Sequence, residues 1–297
     1  MTVASPGPRA AIALLRAGDE LEGIFACTRK DRLTARSGTA YLALELRDRS
    51  GALPARAFRN ADFLAGQFER GDLVRVEGRV ERFRDELQLE LREIARADPS
   101  HADPADFLPL AYRDLDELDG FLEHLAREVH DPHLRRLLDS FLDDEALRRE
   151  WRRAPCTRSG HHAYLGGLLE HTVAVATLAL ETCTLHPRLD SDLLICAALL
   201  HDIGKVREFA LGAEIAFSEA GTLVGHVVLG QQMVVGRAAR LDGFPDEKLH
   251  ALLHCVLAHH GTDGLPGRRF RSAEALALQR LNALDASVKG ALEHGLD

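Results

Sequence analysis

Lysine is nearly absent from this chain: Lys30, Lys205, Lys248 and Lys289 stand beside thirty-three arginines. Such a bias is a habit of codon composition, and it makes a lysine inside a motif stand out. Aromatic residues are 5% of the sequence, with one tryptophan, so stacking platforms are few. The five cysteines, Cys27, Cys156, Cys183, Cys196 and Cys255, are odd in number and never spaced C-x-x-C. That argues against a disulfide framework and a thiolate zinc site, and leaves them as buried fillers. No run of eighteen apolar residues occurs, and the opening MTVASPGPRA lacks the order of a signal peptide, so the expectation is a cytoplasmic protein without membrane contact. A P-loop, a G-x-G-x-x-G turn and an H-E-x-x-H helix are all missing. The net charge of −9 gives no basic excess, so any nucleic-acid contact has to be local.

What is present is 297 residues, 46% hydrophobic and 28% charged, a length that suits two domains. Through residues 19–94 the apolar positions recur every second residue. Leu42, Leu44 and Leu46 alternate with Tyr41, Ala43 and Glu45, and Val74, Val76 and Val80 with Arg75, Glu77 and Arg79. Leu87, Leu89 and Leu91 continue the pattern. Together with segments 20–28 and 53–59, this predicts five strands with a short helix at 61–68 between the third and fourth, the order of an OB-fold barrel. Residues 1–18 precede it as an N-terminal extension. Residues 95–107, ARADPSHADPADF, lack an apolar period and read as a linker.

From 108 to 297 the period becomes helical, with stripes at Leu115, Leu118, Leu122 and Leu125 and at Leu134, Leu137, Leu138 and Phe141. Further helices are expected at 162–184, 191–203, 222–240, 246–260 and 273–292. The second domain is therefore predicted to be all-α.

Several of the fifteen histidines fall on apolar stripes in this half. His171 follows Leu168 by three and precedes Val175 by four; His226 lies between Leu223 and Leu229 at helical spacing; His260 follows Val256 and Leu257. One such histidine is ordinarily a hydrogen-bonded core residue. Several on converging helices call for a joint explanation. In Leu199-Leu200-His201-Asp202-Ile203-Gly204-Lys205 an apolar helix ends in an adjacent imidazole and carboxylate, which can bind one divalent ion and bridge to a second, and Gly204 permits a sharp turn. The plainer alternative is a helix terminus with an incidental histidine.

His171 in LLEHT, His201-Asp202 in HDIGK, His226 in TLVGHVVLG and His259-His260 in LAHHG resemble the HD-domain metal-dependent phosphohydrolases, in the branch with two metals. The resemblance implies that His171, His201 and Asp202 hold a first ion with a late acid. Asp202 would bridge to a second ion held by His226, His259 and His260, and Lys205 would sit beside the scissile phosphate. Asp202 and Lys205 are thus the expected catalytic pair. The sequence departs from the family at Leu281-Asn282-Ala283-Leu284-Asp285, where Asn282 takes the slot of the usual ligand and Asp285, one turn on, could serve instead. An amide is a weaker metal ligand than a carboxylate. His254 is a candidate spare ligand or supporting group, with core packing the rival reading. His161 and His162, with Trp151 and Arg158, could line a nucleotide pocket or serve as capping or surface residues. His101, His124, His130, His133, His186, His250 and His294 read as surface or linker positions.

Two divalent ions about 3.5–4 Å apart can lower the pKa of a bound water and clamp an in-line displacement at phosphorus. Imidazole and carboxylate donors without thiolate favour manganese, iron, cobalt, nickel or zinc; the resemblance implies manganese. Barrels of this kind bind single strands by base stacking and backbone contacts. The candidate platforms are Tyr41, Phe58 and Phe83, and the candidate phosphate contacts are Arg29, Lys30, Arg32, Arg56, Arg75 and Arg84. The order of barrel, linker and helical domain, with YLGGLLEHT and LNALDAS, resembles the YhaM-type 3′-to-5′ exoribonucleases from about Asp19 to Leu292. That resemblance implies manganese-dependent removal of nucleotides from single-stranded RNA ends, with single-stranded DNA a further substrate and a homo-oligomer left open. Alternatives are a phosphodiesterase for cyclic dinucleotides, suggested by His259-His260-Gly261-Thr262-Asp263-Gly264, a nucleotide phosphohydrolase, and a nucleic-acid-binding protein whose metal site has decayed through Asn282.

Overall fold

The computed structural model describes residues 11–35, 38–98 and 102–296. Most of the expected N-terminal extension, part of the linker and His101 lie outside them. The chain divides into two compact units, Met1–Pro109 with Leu211–Ile215, and Leu110–Ala210 with Ala216–Asp297.

In the first unit β1 (Glu20–Thr34), β2 (Ala40–Asp48), β3 (Gly51–Ala57), α1 (Ala61–Ala65), β4 (Leu73–Phe83) and β5 (Glu86–Arg96) form a closed barrel in the order β1-β2-β3-β5-β4. β1 reaches Thr34, well past the expected end at residue 28, because a bulge between Cys27 and Arg29 bends it. Its first half pairs with β4 and its second half with β2. Closure comes from the parallel pairing of Ala55 with Leu89 and Arg56 with Glu90. Leu42, Leu44, Leu46, Val74, Val76, Val80, Leu89 and Leu91 fill the interior. A second bulge, where Gly78 faces Leu91 but Glu77 faces Glu93, shifts the buried parity from Leu91 to Ile94. β5 therefore runs to Arg96, two residues into the segment read as linker. Part of the remaining linker is ordered as well: Asp103 caps a 3-10 turn at Pro104–Asp106, and Ala97 and Phe107 are buried.

The second unit is built from α2 (Leu115–Arg127), α3 (Pro132–Leu142), α4 (Glu145–Arg153), α5 (Gly167–Leu185), α6 (Ser191–Leu200), α7 (Lys205–Glu208), α8 (Glu219–Leu223), α9 (His226–Ala238), α10 (Asp246–Ala258) and α11 (Ala273–His294). Side chains of Asp114, Asp131, Asp144 and Asp190 accept from the free backbone N–H groups that open α2, α3, α4 and α6. α5 is long and apolar enough to cross a membrane by length and composition, but half of it is buried in the helical core.

The helical expectation for the second domain holds apart from one short hairpin, and one helix needs correction. In the hairpin, β6 (Phe209–Leu211) pairs with β7 (Ile215–Phe217), and the Phe209 and Phe217 rings stack with centroids 5.4 Å apart. The single helix expected at 222–240 is two helices, broken at Gly225, whose φ of 78° is poorly accessible to other residues. Leu223 consequently stands on a different helix from His226 and is exposed, so the expected stripe does not exist.

Candidate metal centre and nucleic-acid face

Asp202 lies at the end of α6, 1% exposed, with four imidazoles around it. Nε2 of His171, from the second turn of α5, is 3.5 Å from its Oδ2, and Nε2 of His201 is 3.4 Å from the same oxygen. On the other side, Nε2 of His226, the first residue of α9, is 3.4 Å from Oδ1, and Nε2 of His259, just after α10, is 3.3 Å from it. His260 joins this second group through its Nε2, 2.9 Å from that of His226. One pair of imidazoles thus faces each carboxylate oxygen.

The opposite ring nitrogens determine what these Nε2 atoms can do. Nδ1 of His201 lies 2.8 Å from the Ala198 carbonyl and Nδ1 of His259 lies 2.5 Å from the Val256 carbonyl. Carbonyls only accept, so both Nδ1 atoms carry the proton. Nδ1 of His226 donates to Glu208 at 2.8 Å and Nδ1 of His171 to Asp285 at 2.6 Å. All four Nε2 atoms therefore present bare lone pairs to Asp202. Nε2 of His171 and Nε2 of His201 are 3.2 Å apart, an unfavourable approach that a cation between them would turn into shared coordination. Oδ1 of Asp202 and Nε2 of His259 are buried without a hydrogen-bond partner. Orphaned donors of this chemistry fit divalent ions.

Burial disfavours charge on His171, holding it near pKa 4. Burial would by itself raise the Asp202 carboxyl, but the Lys205 ammonium beside it outweighs burial and keeps Asp202 well below the usual carboxylate range. Lys205, the first residue of α7, is buried with Nζ 2.7 Å from Oδ2 of Asp202 and 3.4 Å from Sγ of Cys156. The Cys156 thiol is pushed up to about 12 by burial, so it is protonated at neutral pH.

Gly204 has an ordinary right-handed conformation, φ −62° and ψ −19°, so the sharp turn does not need glycine's left-handed freedom. It is needed for space, because a Cβ there would collide with the carbonyl oxygen of His226. That close approach brings the first turn of α9 against the His201-Asp202 segment.

Other expected residues are placed differently. Asp285 contacts the back of His171 rather than the His171, His201 and Asp202 group, and its Oδ2 also lies 3.1 Å from Nε2 of His162. Asn282 is buried and donates from Nδ2 to the His259 carbonyl at 3.2 Å. His254, five residues before His259 and so on another side of α10, accepts from the Arg271 N–H at 3.0 Å and is not brought to the cluster. His162 is 1% exposed and committed to Asp285 and Tyr164, so it does not line an open pocket. His161 stays closer to the site, with its ring 5.4 Å from that of His171. Sequence reasoning missed Glu208, which orients His226, and a network in which Tyr164 donates to Glu170 at 2.7 Å and Lys289 reaches Glu170 at 3.1 Å. The signal for the latter was a single carboxylate inside the apolar run GLLEHTVAVA.

On the barrel, Tyr41 and Phe58 stack with centroids 5.2 Å apart, and Phe58 and Phe83 are each nearly half exposed. The Arg56 guanidinium lies between Tyr41, at 5.8 Å, and Phe83, at 5.2 Å, and Arg84 covers Phe83 at 5.3 Å. Among the described residues neither arginine has a carboxylate partner. Arg75 is elsewhere, on β4 opposite Ile24 and 4.0 Å from Glu22. Arg29, Lys30 and Arg32 are likewise paired, with Asp31, Glu69 and Asp62.

Comparison with known proteins adds independent findings. Residues 168–287 match the HD domain and residues 27–96 match the OB-fold nucleic acid binding domain. The chain is 28% identical over 283 residues to the 3′-5′ exoribonuclease YhaM of Shouchella clausii, covering 92% of this chain and 85% of that protein. It is 28% identical over 251 residues to the YhaM of Oceanobacillus iheyensis, covering 84% and 78%. Among solved structures, the second OB-fold domain of replication protein A from Methanococcus maripaludis aligns at 20% identity and a TM-score of 0.25, over 30% of this chain and 94% of that one.

Proposed function

Proceeding from a chain that is homologous over most of its length to proteins named 3′-5′ exoribonuclease YhaM, and that carries an OB-fold domain and an HD domain, we propose that it is a divalent-metal-dependent 3′-to-5′ exoribonuclease acting on single-stranded RNA. The observation that carries the chemistry is the pairing of bare imidazole nitrogens on both oxygens of one buried carboxylate. His171, His201 and Asp202 would hold one ion, and Asp202, His226, His259 and His260 a second; manganese is the favoured metal. When bound, such ions lower the pKa of a water and clamp the attacking and leaving oxygens at phosphorus.

The protein's own groups prepare that site. Ala198 and Val256 carbonyls and the Glu208 and Asp285 carboxylates fix four imidazoles in one tautomer, so no ring has to reorganise. Lys205 holds a positive charge at the cluster, where it would oppose the negative charge of a phosphodiester. His171, His201, His259 and Asp202 are sealed from solvent whereas His260 is exposed, so a strand end approaches past His260. The Tyr41, Phe58 and Phe83 rings with Arg56 and Arg84 supply stacking surface and charge for single-stranded bases and backbone. A reducing cytoplasmic setting suits the five free, buried cysteines.

The test is a 5′-labelled single-stranded RNA incubated with the protein and manganese, beside Asp202→Ala and a matched DNA. The expected result is a ladder shortening from the 3′ end that the variant lacks. RNA that stays full length while bound would overturn the exonuclease reading, and degradation of the DNA at an equal rate would widen the substrate to both nucleic acids.

A further inference from the structure

The two halves of the cluster are unequal, and the inequality predicts the order in which they fill. The inner half offers three donors: Nε2 of His171, Nε2 of His201 and Oδ2 of Asp202. That oxygen is already engaged by the Lys205 ammonium at 2.7 Å. His161, whose ring lies beside His171 and whose Nδ1 is buried without a partner, can add a neutral imidazole to this half but no charge, and neither of the two residues that could add a carboxylate places one there. Asn282 is an amide whose Nδ2 is hydrogen-bonded to the His259 carbonyl, and Asp285 is turned to Nδ1 of His171, behind the ring.

The outer half offers four donors: Nε2 of His226, His259 and His260, and Oδ1 of Asp202. Two of these, Oδ1 of Asp202 and Nε2 of His259, are buried with no hydrogen bond to give up. The buried ammonium of Lys205 contacts the other carboxylate oxygen. A cation entering the inner half must share its only carboxylate oxygen with a fixed positive charge, whereas one entering the outer half satisfies two orphaned atoms at once.

We propose that the outer pocket, Asp202 with His226, His259 and His260, is the high-affinity divalent site of this protein and fills first, and that the inner pocket binds its ion more weakly. Three imidazoles and one carboxylate suit divalent first-row transition ions such as manganese, cobalt or zinc over magnesium or calcium. Asn282 stands in the slot where the family resemblance expects the carboxylate ligand of the inner ion, so replacing it by aspartate would narrow the difference.

The inference rests on the metal-dependent reading above, and one experiment separates the two. Metal-stripped full-length protein is titrated with Co2+ by calorimetry, with ligand-field absorption reporting coordination, and bound metal is counted by elemental analysis after desalting. Wild type is expected to retain one ion per chain and to take up a second at least about tenfold more weakly, since loss of even a supporting partner costs a site about 10–100-fold. His260→Ala should lose the retained ion; His171→Ala should keep it and lose the weak one; Asn282→Asp should strengthen the weak one. Circular dichroism confirms that each variant is folded, and the His171→Ala and His260→Ala pair decides the question if Asn282→Asp does not fold. A retained ion that disappears in His171→Ala and persists in His260→Ala overturns the order of filling alone. A wild-type protein that takes up no cobalt, manganese or zinc overturns the metal-dependent reading itself.

Discussion

The Asp285 carboxylate lies 2.6 Å from Nδ1 of His171, on the opposite edge of the ring from the nitrogen that faces Asp202. Its charged form is secured by His162 and His171, whose hydrogen bonds outweigh burial and bring its pKa far down. A carboxylate in that position fixes the tautomer of the imidazole and raises its basicity toward a metal. Asp285→Ala should therefore lower divalent-ion affinity at the inner pocket by about 10–100-fold while leaving the helical fold intact. Calorimetric titration of the metal-stripped variant, paired with circular dichroism, checks this. Unchanged affinity would show that packing alone orients the His171 ring.

Gly204 couples the His201-Asp202 segment to α9 through space. A methyl group there meets the His226 carbonyl oxygen and the Gly230 nitrogen, both backbone atoms that cannot swing aside. Gly204→Ala should cost about 1–3 kcal/mol of stability, the range for forcing an extra carbon into a packed interior. Because the strain is relieved by moving the first turn of α9, His226 should also leave the Asp202 carboxylate. Urea denaturation measures the first effect, and loss of one bound ion on elemental analysis measures the second.

The barrel was legible because one face of each strand is buried, so alternation in β2 and β4 shows directly as Leu42, Leu44 and Leu46 or Val74, Val76 and Val80. The bulges were not legible, because they shift parity through the backbone and leave no residue signature at Cys27 or Glu77. In the helical half, imidazoles on apolar stripes marked His171 and His260 as belonging to something other than a plain core. The helical spacing read around His226 does not hold: its helix begins at His226, after Gly225, so Leu223 does not share its face. The hairpin at Phe209–Phe217 was missed because its strands have three residues each, too few to establish a period. Which edge of His171 Asp285 would meet depends on rotamers, which spacing along a helix does not encode.

Away from the cluster, Asp131 tests how the helical unit responds to pH. Its side chain accepts from the N–H groups of His133 and Leu134 at the start of α3 and pairs with Lys248 at 2.6 Å. Burial opposes its charge, but the Lys248 contact and these hydrogen bonds prevail, so its folded pKa lies below the ordinary value. A carboxyl depressed on folding stabilises the protein above its unfolded pKa, about 3.9, and loses that contribution as pH falls through the lower folded value. Asp131→Ala should cost about 1 kcal/mol at pH 7, and the difference from wild type should shrink below about pH 4. Urea midpoints of both proteins between pH 7 and pH 3 give the comparison. A difference that stays constant across that range would assign the loss to packing.

The arginines of the barrel divide into free and neutralised groups, and RNA binding should follow that division. Arg56 lies against Tyr41 and Phe83 with no carboxylate partner among the described residues, whereas Arg75 stands 4.0 Å from Glu22 and apart from these rings. Base stacking on an aromatic platform contributes about 1–3 kcal/mol per base, and removing a cation that neutralises a phosphate reduces the salt dependence of binding. In metal-free buffer, where the RNA is not consumed, Phe83→Ala and Tyr41→Ala should each weaken binding of a fluorescent oligonucleotide by that amount. Arg56→Ala should weaken it and flatten the slope of affinity against salt. Arg75→Ala should change little, because removing it also frees Glu22 from a pair that is exposed and worth little at the surface. Anisotropy titrations at several salt concentrations separate weaker stacking, which leaves the slope unaltered, from a missing cation at a phosphate, which flattens it. If Arg75→Ala proves as damaging as Arg56→Ala, the RNA strand crosses the barrel around Arg75 instead of the Tyr41, Phe58 and Phe83 group.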